Sequence, residues 1–193
     1  NIAVSEADHA SLTSMEKGTA NYYCVNLDRY GIFAEITPAD NAALYSFTYK
    51  TDDGAAVLDV SRKTGGSVAM KEGFVKIDAA KRIVTGGGIF TSNWNPADWE
   101  MYVAVRFDRE FAGYGLWSDG ILHEARTEER AYGNRLGAYF RFDTSENKTV
   151  RAEVAVSFKS AEAALAFLDA QTGGKDFETL KKDCGDKWNE ILG

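Results

Sequence analysis

The amino-acid sequence predicts a mostly β protein: an antiparallel β-sandwich of two sheets followed by one or two C-terminal helices. Three observations support this fold class. Short apolar segments recur at close intervals from Tyr22 to Phe158, as they do in sandwiches and barrels. Several of them alternate apolar and polar residues, which is typical of strands with one buried and one solvated face. After Phe158 the apolar residues recur at spacings of three and four, which indicates helices.

The strands are expected to follow one another through short turns that contain Asp, Asn or Gly. The polar residues before Gly18 are expected to run over the surface, and the mixed-charge segment Arg126–Arg135 is expected to be a loop. The last strand is predicted to place its alternate residues, from Val150 to Phe158, on one apolar face. The predicted strands are Tyr22–Leu27, Tyr30–Ile36, Leu44–Tyr49, Ala56–Val60, Phe74–Asp78, Arg82–Thr85, Met101–Phe107, Ile121–Ala125, Gly137–Phe142 and Val150–Phe158.

Two helices are predicted after the last strand. Ser160 can cap the first, and Gly173 with Gly174 ends it. Asp176 can cap the second, which carries one apolar stripe. A stripe of this kind must pack against something, and two partners are open: the sandwich itself or a further domain. The stripe consists of Phe177, Leu180, Cys184, Trp188 and Ile191.

We therefore divide the chain into a sandwich domain at residues 1–159 and a helical tail at residues 160–193 that leads toward a further domain. The first residue is Asn1 rather than Met, which together with the terminal stripe suggests an excised fragment. The chain has 193 residues, enough for one good core. Its 45% hydrophobic and 26% charged residues are ordinary globular usage and exclude intrinsic disorder.

Charge and residue counts exclude several classes of function. The net charge of −7 leaves no basic footprint for nucleic acid or anionic lipid, so we expect neither as a partner. Only 2 Cys and 2 His are present, too few for a typical zinc cluster. For Cys24 and Cys184, one long-range disulfide and two free thiols are both open. Carboxylates are plentiful, but the sequence does not identify any pair of them as catalytic. His123 is expected to be an ordinary hydrogen-bonded histidine on a strand.

The segment Gly86–Trp99 is the most unusual local sequence, with glycines, asparagines and tryptophans in a predicted loop. One hypothesis is a carbohydrate contact, in which tryptophan stacks on a sugar and the polar side chains bind hydroxyls. The alternative is that the tryptophans close the end of the sandwich and the asparagines shape the turn. Trp117 is either a further sugar platform or part of a hairpin. The carbohydrate-contact candidates are Trp94, Trp99, Asn93, Asn95, Asp98 and Trp117.

Three segments resemble the family 92 glycoside hydrolases, the calcium-dependent exo-α-mannosidases. The stretch "GTANYYCVNLDRYGIFAEITPADNAALYSFTY" at Gly18–Tyr49 is similar to the family's "pGYYsV.L..ygI.aElTat" region. The stretch "EMYVAVRFDREFAGYGLW" at Glu100–Trp117 resembles its "vYfvaeFskpF" strand. From Val150 onward the chain resembles the family's exit from the sandwich, a strand followed by a helix that ends in "W...L". The family's basic residue and proline are absent from Leu44–Tyr49.

This resemblance implies the N-terminal β-sandwich of an inverting α-mannosidase, forming one wall of the active-site pocket. It places the catalytic acid, the base and most calcium ligands in a later helical-barrel domain, so no catalytic or metal residue is assigned here. It implies calcium in the full-length enzyme and none in this fragment, an inactive isolated fragment, and a secreted, periplasmic or cell-surface location. The implied partners are a mannose-containing glycan and the catalytic domain, with domain-interface candidates Phe177, Leu180, Trp188 and Ile191.

Two alternatives are open beside this hypothesis. One is a stand-alone carbohydrate-binding β-sandwich module, which requires exposed tryptophans on one face or rim. The other is a structural sandwich domain of a secreted protein, which requires Trp94 and Trp99 to be buried and no aromatic platform to exist. Under each hypothesis, an exposed apolar stripe on the second helix would indicate a neighbouring domain.

Overall fold

The computed structural model describes residues 2, 4–5, 10–62, 68–93, 97–133 and 135–192. Within these ranges the chain forms a nine-stranded sheet, a four-stranded sheet and two helices, and every paired strand is antiparallel. The two sheets face each other across an apolar core. The predicted antiparallel sandwich with C-terminal helices is therefore confirmed.

The large sheet has the strand order β1-β2-β3-β4-β13-β8-β7-β6-β11, and the small sheet has the order β10-β9-β12-β5. The strands are β1 (Thr13–Thr19), β2 (Tyr22–Leu27), β3 (Ile32–Pro38), β4 (Ala42–Tyr49), β5 (Asp53–Asp59), β6 (Val68–Asp78), β7 (Ile83–Ser92), β8 (Trp99–Phe107), β9 (Gly113–Ser118), β10 (Ile121–Glu124), β11 (Glu128–Tyr132), β12 (Leu136–Asp143) and β13 (Thr149–Ser157). The core between the sheets includes Val75, Val84, Leu116, Leu136, Phe140 and Val150, which are fully buried.

Both helices lie on the outer face of the large sheet, the face turned away from the small sheet. Helix α1 (Ala161–Gln171) begins at the Ser160 cap, whose side chain accepts a hydrogen bond from the Ala163 amide. It packs on three alanines of the sheet, Ala42, Ala104 and Ala155. Helix α2 (Phe177–Leu192) follows, and the Asp176 carboxylate caps it by accepting from the Thr179 amide at 2.7 Å. The protein thus has three layers, with helices covering part of the outer face.

Three strands were not expected from the sequence. Strand β1 falls in the segment expected to run over the surface, and β11 falls in the segment expected to be a loop. Each forms an edge of the large sheet, where a polar strand is stable because little of it must be buried. Strand β9 lies within the small sheet, and Gly115 interrupts its apolar pattern because a Cβ there would come within 2.7 Å of the Tyr139 hydroxyl.

The prediction of a loop at Gly86–Trp99 is wrong for the first half of the segment, because strand β7 continues to Ser92. The glycines allow close approach of neighbouring strands rather than a turn. A Cβ on Gly88 would lie 2.2 Å from the Glu72 carbonyl oxygen, and a Cβ on Gly86 would lie 2.6 Å from the Val60 side chain. The glycine run is therefore part of the central sheet.

The apolar face expected for the last strand is only partly buried. Val150 and Ala152 are buried in the core between the sheets, as expected. Val156 is exposed, and Phe158, just beyond the strand, is 74% exposed. In the same region Ala155 is buried on the opposite face, beneath α1. The small sheet has fewer strands than the large one and leaves this end of the large sheet uncovered.

Candidate functional site

Strand register brings two distant parts of the chain to one end of the large sheet. The connection between β7 and β8 lies between Ser92 and Trp99. Strand β13 runs antiparallel to β8 and pairs its last residue, Ser157, with Tyr102 near the start of β8. The exit from the sandwich therefore lies at the same end as the β7–β8 connection. We call this the hairpin end and define it by Asn93, residues 97–101 and residues 156–158.

The described sugar-contact candidates of the predicted loop come together at the hairpin end. Asn93 is exposed. Asp98 is also exposed and lies 2.7 Å from the Lys71 ammonium, whose hydrogen bond lowers the pKa of the Asp98 carboxyl. Trp99 is half-buried and stacks on Phe90, with ring centroids 6.2 Å apart. Trp99 thus packs against the end of the core, in agreement with the alternative that the tryptophans close the end of the sandwich. The candidates Trp94 and Asn95 lie outside the described residues.

Of the two hypotheses for Trp117, the hairpin is confirmed, because β9 pairs with β10 across the turn at Asp119 and Gly120, and the sugar platform is wrong. Trp117 is 0% exposed, so it has no surface for a ligand. Its indole N–H donates to the Leu58 carbonyl oxygen at 3.2 Å, and the Arg135 guanidinium lies 5.4 Å from the ring centroid. The cause is tertiary: β9 lies between β10 and β12, and Gly137 leaves the space that the indole occupies. Trp117 is a core residue of the small sheet.

The hairpin end also exposes apolar side chains. Met101 and Val156 are both exposed, although they belong to strands in the middle of the large sheet. Phe158 follows directly after β13 and is largely exposed. Clustered apolar surface at the end of a sheet is typical of a contact with another domain or protein. The hairpin end therefore combines polar groups suited to hydroxyls with a surface suited to packing.

The four domain-interface candidates on α2 divide into two pairs. Phe177 and Leu180 are buried within this chain, where they pack on Leu44 of β4. The Tyr22 ring meets the Phe177 ring edge-on at 6.2 Å. The prediction that Phe177 and Leu180 lie at a domain interface is therefore wrong. The second pair, Trp188 and Ile191, is exposed together with Leu192.

The exposed part of α2 borders a groove of about 500 Å³ between the two helices and the β3–β4 connection. Lys187 of α2 forms an ion pair with Asp40 across it. Sequence analysis identified Trp188 and Ile191 here but not the wall opposite them. That wall could not be found from periodicity, because it comes from a connection and from the end of α1. It includes Pro38, Ala39, Asp40, Ala170 and Gln171.

Hydrogen bonds lower the pKa of several carboxyl groups among the described residues. The carboxyl groups of Asp78, Asp98, Asp143, Glu162 and Asp176 all have pKa values below their usual range, chiefly because each accepts hydrogen bonds. A general acid needs a raised pKa. His123 lies on β10, and its Nε2 is 3.0 Å from the Ser118 hydroxyl, as expected of a strand histidine.

Neither a metal cluster nor a disulfide is found among the described residues. Nowhere in the described ranges do three or more His, Cys, Asp or Glu side chains gather as a metal site would require. Cys24 and Cys184 are both free thiols. No helix among the described residues is long and apolar enough to cross a bilayer.

Comparison with known proteins points to one family. The family described as "Glycosyl hydrolase family 92 N-terminal domain" matches residues 3–157. A curated relative, an uncharacterized secreted glycosidase of Arthroderma benhamiae, is 25% identical over 92% of this chain and 25% of its own length.

Two solved structures from Bacteroides thetaiotaomicron share the fold. A family GH92 inverting mannosidase superposes with a TM-score of 0.86 at 20% identity, over 100% of this chain and 25% of that one. A family GH92 α-mannosidase in complex with mannoimidazole gives a TM-score of 0.84 at 23% identity, over 95% of this chain and 24% of that one. The chain thus spans about a quarter of the length of these proteins.

Proposed function

The chain belongs to the glycosyl hydrolase family 92 N-terminal domain family, and on this premise we propose that it is the non-catalytic N-terminal part of an inverting α-mannosidase. The observation that carries the proposal is the family match over residues 3–157, which spans the sandwich from its first strand to its last. In the proposal, a second, helical domain of the same protein supplies the catalytic acid and base.

We place the wall of the active-site pocket at the hairpin end. Asn93 and Asp98 present an amide and a carboxylate there, groups that bind sugar hydroxyls. Trp94 and Asn95 belong to the same connection by sequence and are kept as candidates. The exposed Phe158 offers apolar surface for the second domain beside these polar groups. Calcium, in this proposal, is held by the second domain.

The second contact with the helical domain is proposed at the end of α2. Trp188, Ile191 and Leu192 are exposed there beside the groove, and exposed apolar clusters of this kind mark interaction surfaces. The occupant is taken to be the catalytic domain, because the chain spans about a quarter of the length of its relatives. A location outside the cytoplasm is proposed from the relative described as secreted.

The direct test compares two polypeptides in the hydrolysis of α-1,2-mannobiose. The 193-residue chain is expected to release no mannose above the uncatalysed rate. A longer product of the same gene is expected to release mannose, to require calcium and to give the inverted anomer first in proton NMR. Clear turnover by the isolated chain would overturn the proposed division of labour. Lack of turnover by the longer, calcium-loaded protein would favour a carbohydrate-binding module without a catalytic partner.

The interface is tested in the longer protein with Ile191→Ser. This change is expected to lower its melting temperature and its activity, because it places a hydroxyl in an apolar contact. The matched control is Asn189→Ser, an exposed polar residue of the same helix. In the isolated chain neither change should alter stability. Equal behaviour of Ile191→Ser and Asn189→Ser in the longer protein would argue against docking at α2.

A further inference from the structure

A second surface with the chemistry of a binding site lies on the outer face of the large sheet. It is a concavity of about 300 Å³ over β11, β6, β7 and β8. It lies on the same face as the helices, because Ala104, two residues after Tyr102 on β8, packs beneath α1. The helices leave this part of the face open. We call it the sheet-face concavity and define it by its lining: Glu72, Gly73, Phe74, Gly88, Ile89, Glu100, Tyr102, Arg130 and Tyr132.

Strand register explains how these side chains come together. One cross-strand row runs from Arg130 through Phe74 and Gly87 to Tyr102. The next row, two residues along each strand, contains Tyr132, Glu72, Ile89 and Glu100. Partners in a row and residues two apart on a strand share one face of a sheet. The eight residues of these rows therefore form one surface patch built by four strands.

A glycine lets one aromatic ring of this patch lie close to the sheet. Gly87 lies between Phe74 and Tyr102 in the first row, and the two rings approach to 6.3 Å across it. A Cβ on Gly87 would come within 2.7 Å of the Tyr102 ring. The Tyr102 ring therefore lies over the Gly87 backbone beside Phe74, and the two rings form one aromatic side of a concavity whose lining includes Gly73 and Gly88.

The polar groups of the concavity are available for a ligand. Within the described residues, the Glu72 carboxylate and the Tyr132 hydroxyl have no hydrogen-bond partner. Among the described residues the Arg130 guanidinium also has no hydrogen-bond partner, and it lies 5.9 Å from the centroid of the Phe74 ring. Glu100 accepts a hydrogen bond from the Tyr102 hydroxyl and retains acceptor capacity. The site therefore offers two carboxylates, one guanidinium and one phenol beside aromatic surface.

From this arrangement we propose that the sheet-face concavity binds a neutral pyranose sugar. A pyranose presents apolar C–H faces, which stack on Tyr102 and Tyr132, and hydroxyls, which bind carboxylates and guanidinium. The two carboxylates repel an anionic sugar. The Arg130 guanidinium offsets the charge of one of these carboxylates, and a titration with tetramethylammonium distinguishes a neutral ligand from a cationic one. The volume suits a single sugar unit, being at the low end for ligand sites.

The site goes beyond the proposed function, because it lies on the sheet face rather than in the active-site wall. Its test is an amide NMR titration of the 193-residue chain with methyl α-mannopyranoside and methyl α-glucopyranoside. Saturable shifts are expected at the amides of Gly73, Gly87 and Gly88. Glucuronate is expected to bind more weakly than either neutral sugar. The measurement involves no hydrolysis, so its failure leaves the α-mannosidase proposal standing.

Two variants locate the site without threatening the fold. Glu72 is exposed and Tyr132 is 71% exposed, so Glu72→Gln and Tyr132→Ala should leave the chain folded. Each is expected to weaken sugar binding about tenfold, the loss typical of one hydrogen bond to a charged group or one stacking ring. Glu128→Gln, on the same strand as Tyr132 but outside the concavity, is the matched control and should change nothing.

Three results would overturn the proposal. The first is the absence of saturable shifts with both neutral sugars. The second is shifts confined to Asn93 and Asp98, which would place binding at the hairpin end. The third is a response to tetramethylammonium without a response to sugar, which would show that the aromatic and acidic groups bind a cation.

Discussion

The two halves of helix α2 carry the same apolar stripe and have opposite environments. In the first half, Phe177 and Leu180 are buried against Leu44 of the sheet. In the second half, Trp188, Ile191 and Leu192 are exposed. The boundary falls near Lys181, whose carbonyl oxygen accepts from the Asn21 side chain at 2.8 Å. The comparison shows that one amphipathic helix can stabilise its own domain with one end and offer the other end to a partner.

The largest expected difference between the two halves of α2 comes from the same substitution, Leu→Ala, made once in each half. Leu180 is 3% exposed and Leu192 is 74% exposed. Leu180→Ala is expected to lower the free energy of unfolding by about 2–5 kcal/mol, because it removes buried methyl groups and leaves a cavity. Leu192→Ala should stay within about 0.5 kcal/mol of the parent chain. Urea unfolding followed by circular dichroism measures both, and similar losses would show that the two halves do not differ.

A smaller effect is expected at the boundary between the halves. Asn21→Ala removes the hydrogen bond to the Lys181 carbonyl and should lower the unfolding free energy by about 1 kcal/mol. Asn189→Ala, exposed on the second half of α2, should have almost no effect and serves as control. The same urea titration compares them. If the two losses were equal, Asn21 would have no special role in anchoring the helix.

The smallest effect concerns pH and the start of the anchored half. The backbone amide of Thr179 hydrogen-bonds the Asp176 carboxylate and lowers its pKa. Because the pKa of Asp176 is lower in the folded chain, its ionised carboxylate adds to the free energy of unfolding. This contribution is present above the pKa of an unfolded Asp, about 3.9, and is lost as pH falls through the folded pKa. As pH decreases below about 5, the unfolding free energy of Asp176→Asn should therefore decrease less steeply than that of the parent chain. Unfolding measured at several pH values tests this.

The control for this pH effect is Glu190→Gln, at the other end of the same helix. Glu190 makes no hydrogen bond to backbone within the described part of the chain. Its replacement, at an exposed position, should leave the free energy of unfolding at neutral pH within about 0.5 kcal/mol of the parent value. A parent and an Asp176→Asn variant with parallel pH profiles would show that the cap does not contribute through its charge.

The fold was largely predictable from local sequence pattern. Strands β8, β12 and β13 carry clear alternation, because alternate residues of each, such as Val105, Phe140 and Val150, pack in the core between the sheets. The exceptions have physical causes. Edge strands β1 and β11 need little apolar alternation, and β9 contains Gly115, whose missing side chain makes room for Tyr139.

The sites were less predictable than the fold. The segment Gly86–Trp99 was predicted to be a loop, but half of it is strand, and Trp99 packs on Phe90. For Trp117 the sequence predicted the hairpin but could not exclude a sugar platform, because burial by a neighbouring strand leaves no trace in local sequence. The concavity was missed, although Phe74 and Tyr102 lie on the outward positions of predicted strands. Only cross-strand pairing shows that they share one surface.

The sequence by itself determined the period of each element, the caps at Ser160 and Asp176, and the segments that carry the family resemblance. These properties depend on residues close together in the chain. Tertiary structure alone decided that Leu180 is covered while Leu192 is exposed, and that Trp117 is enclosed. The reason is that burial depends on what packs opposite a residue, and those partners come from distant strands whose register no local pattern contains.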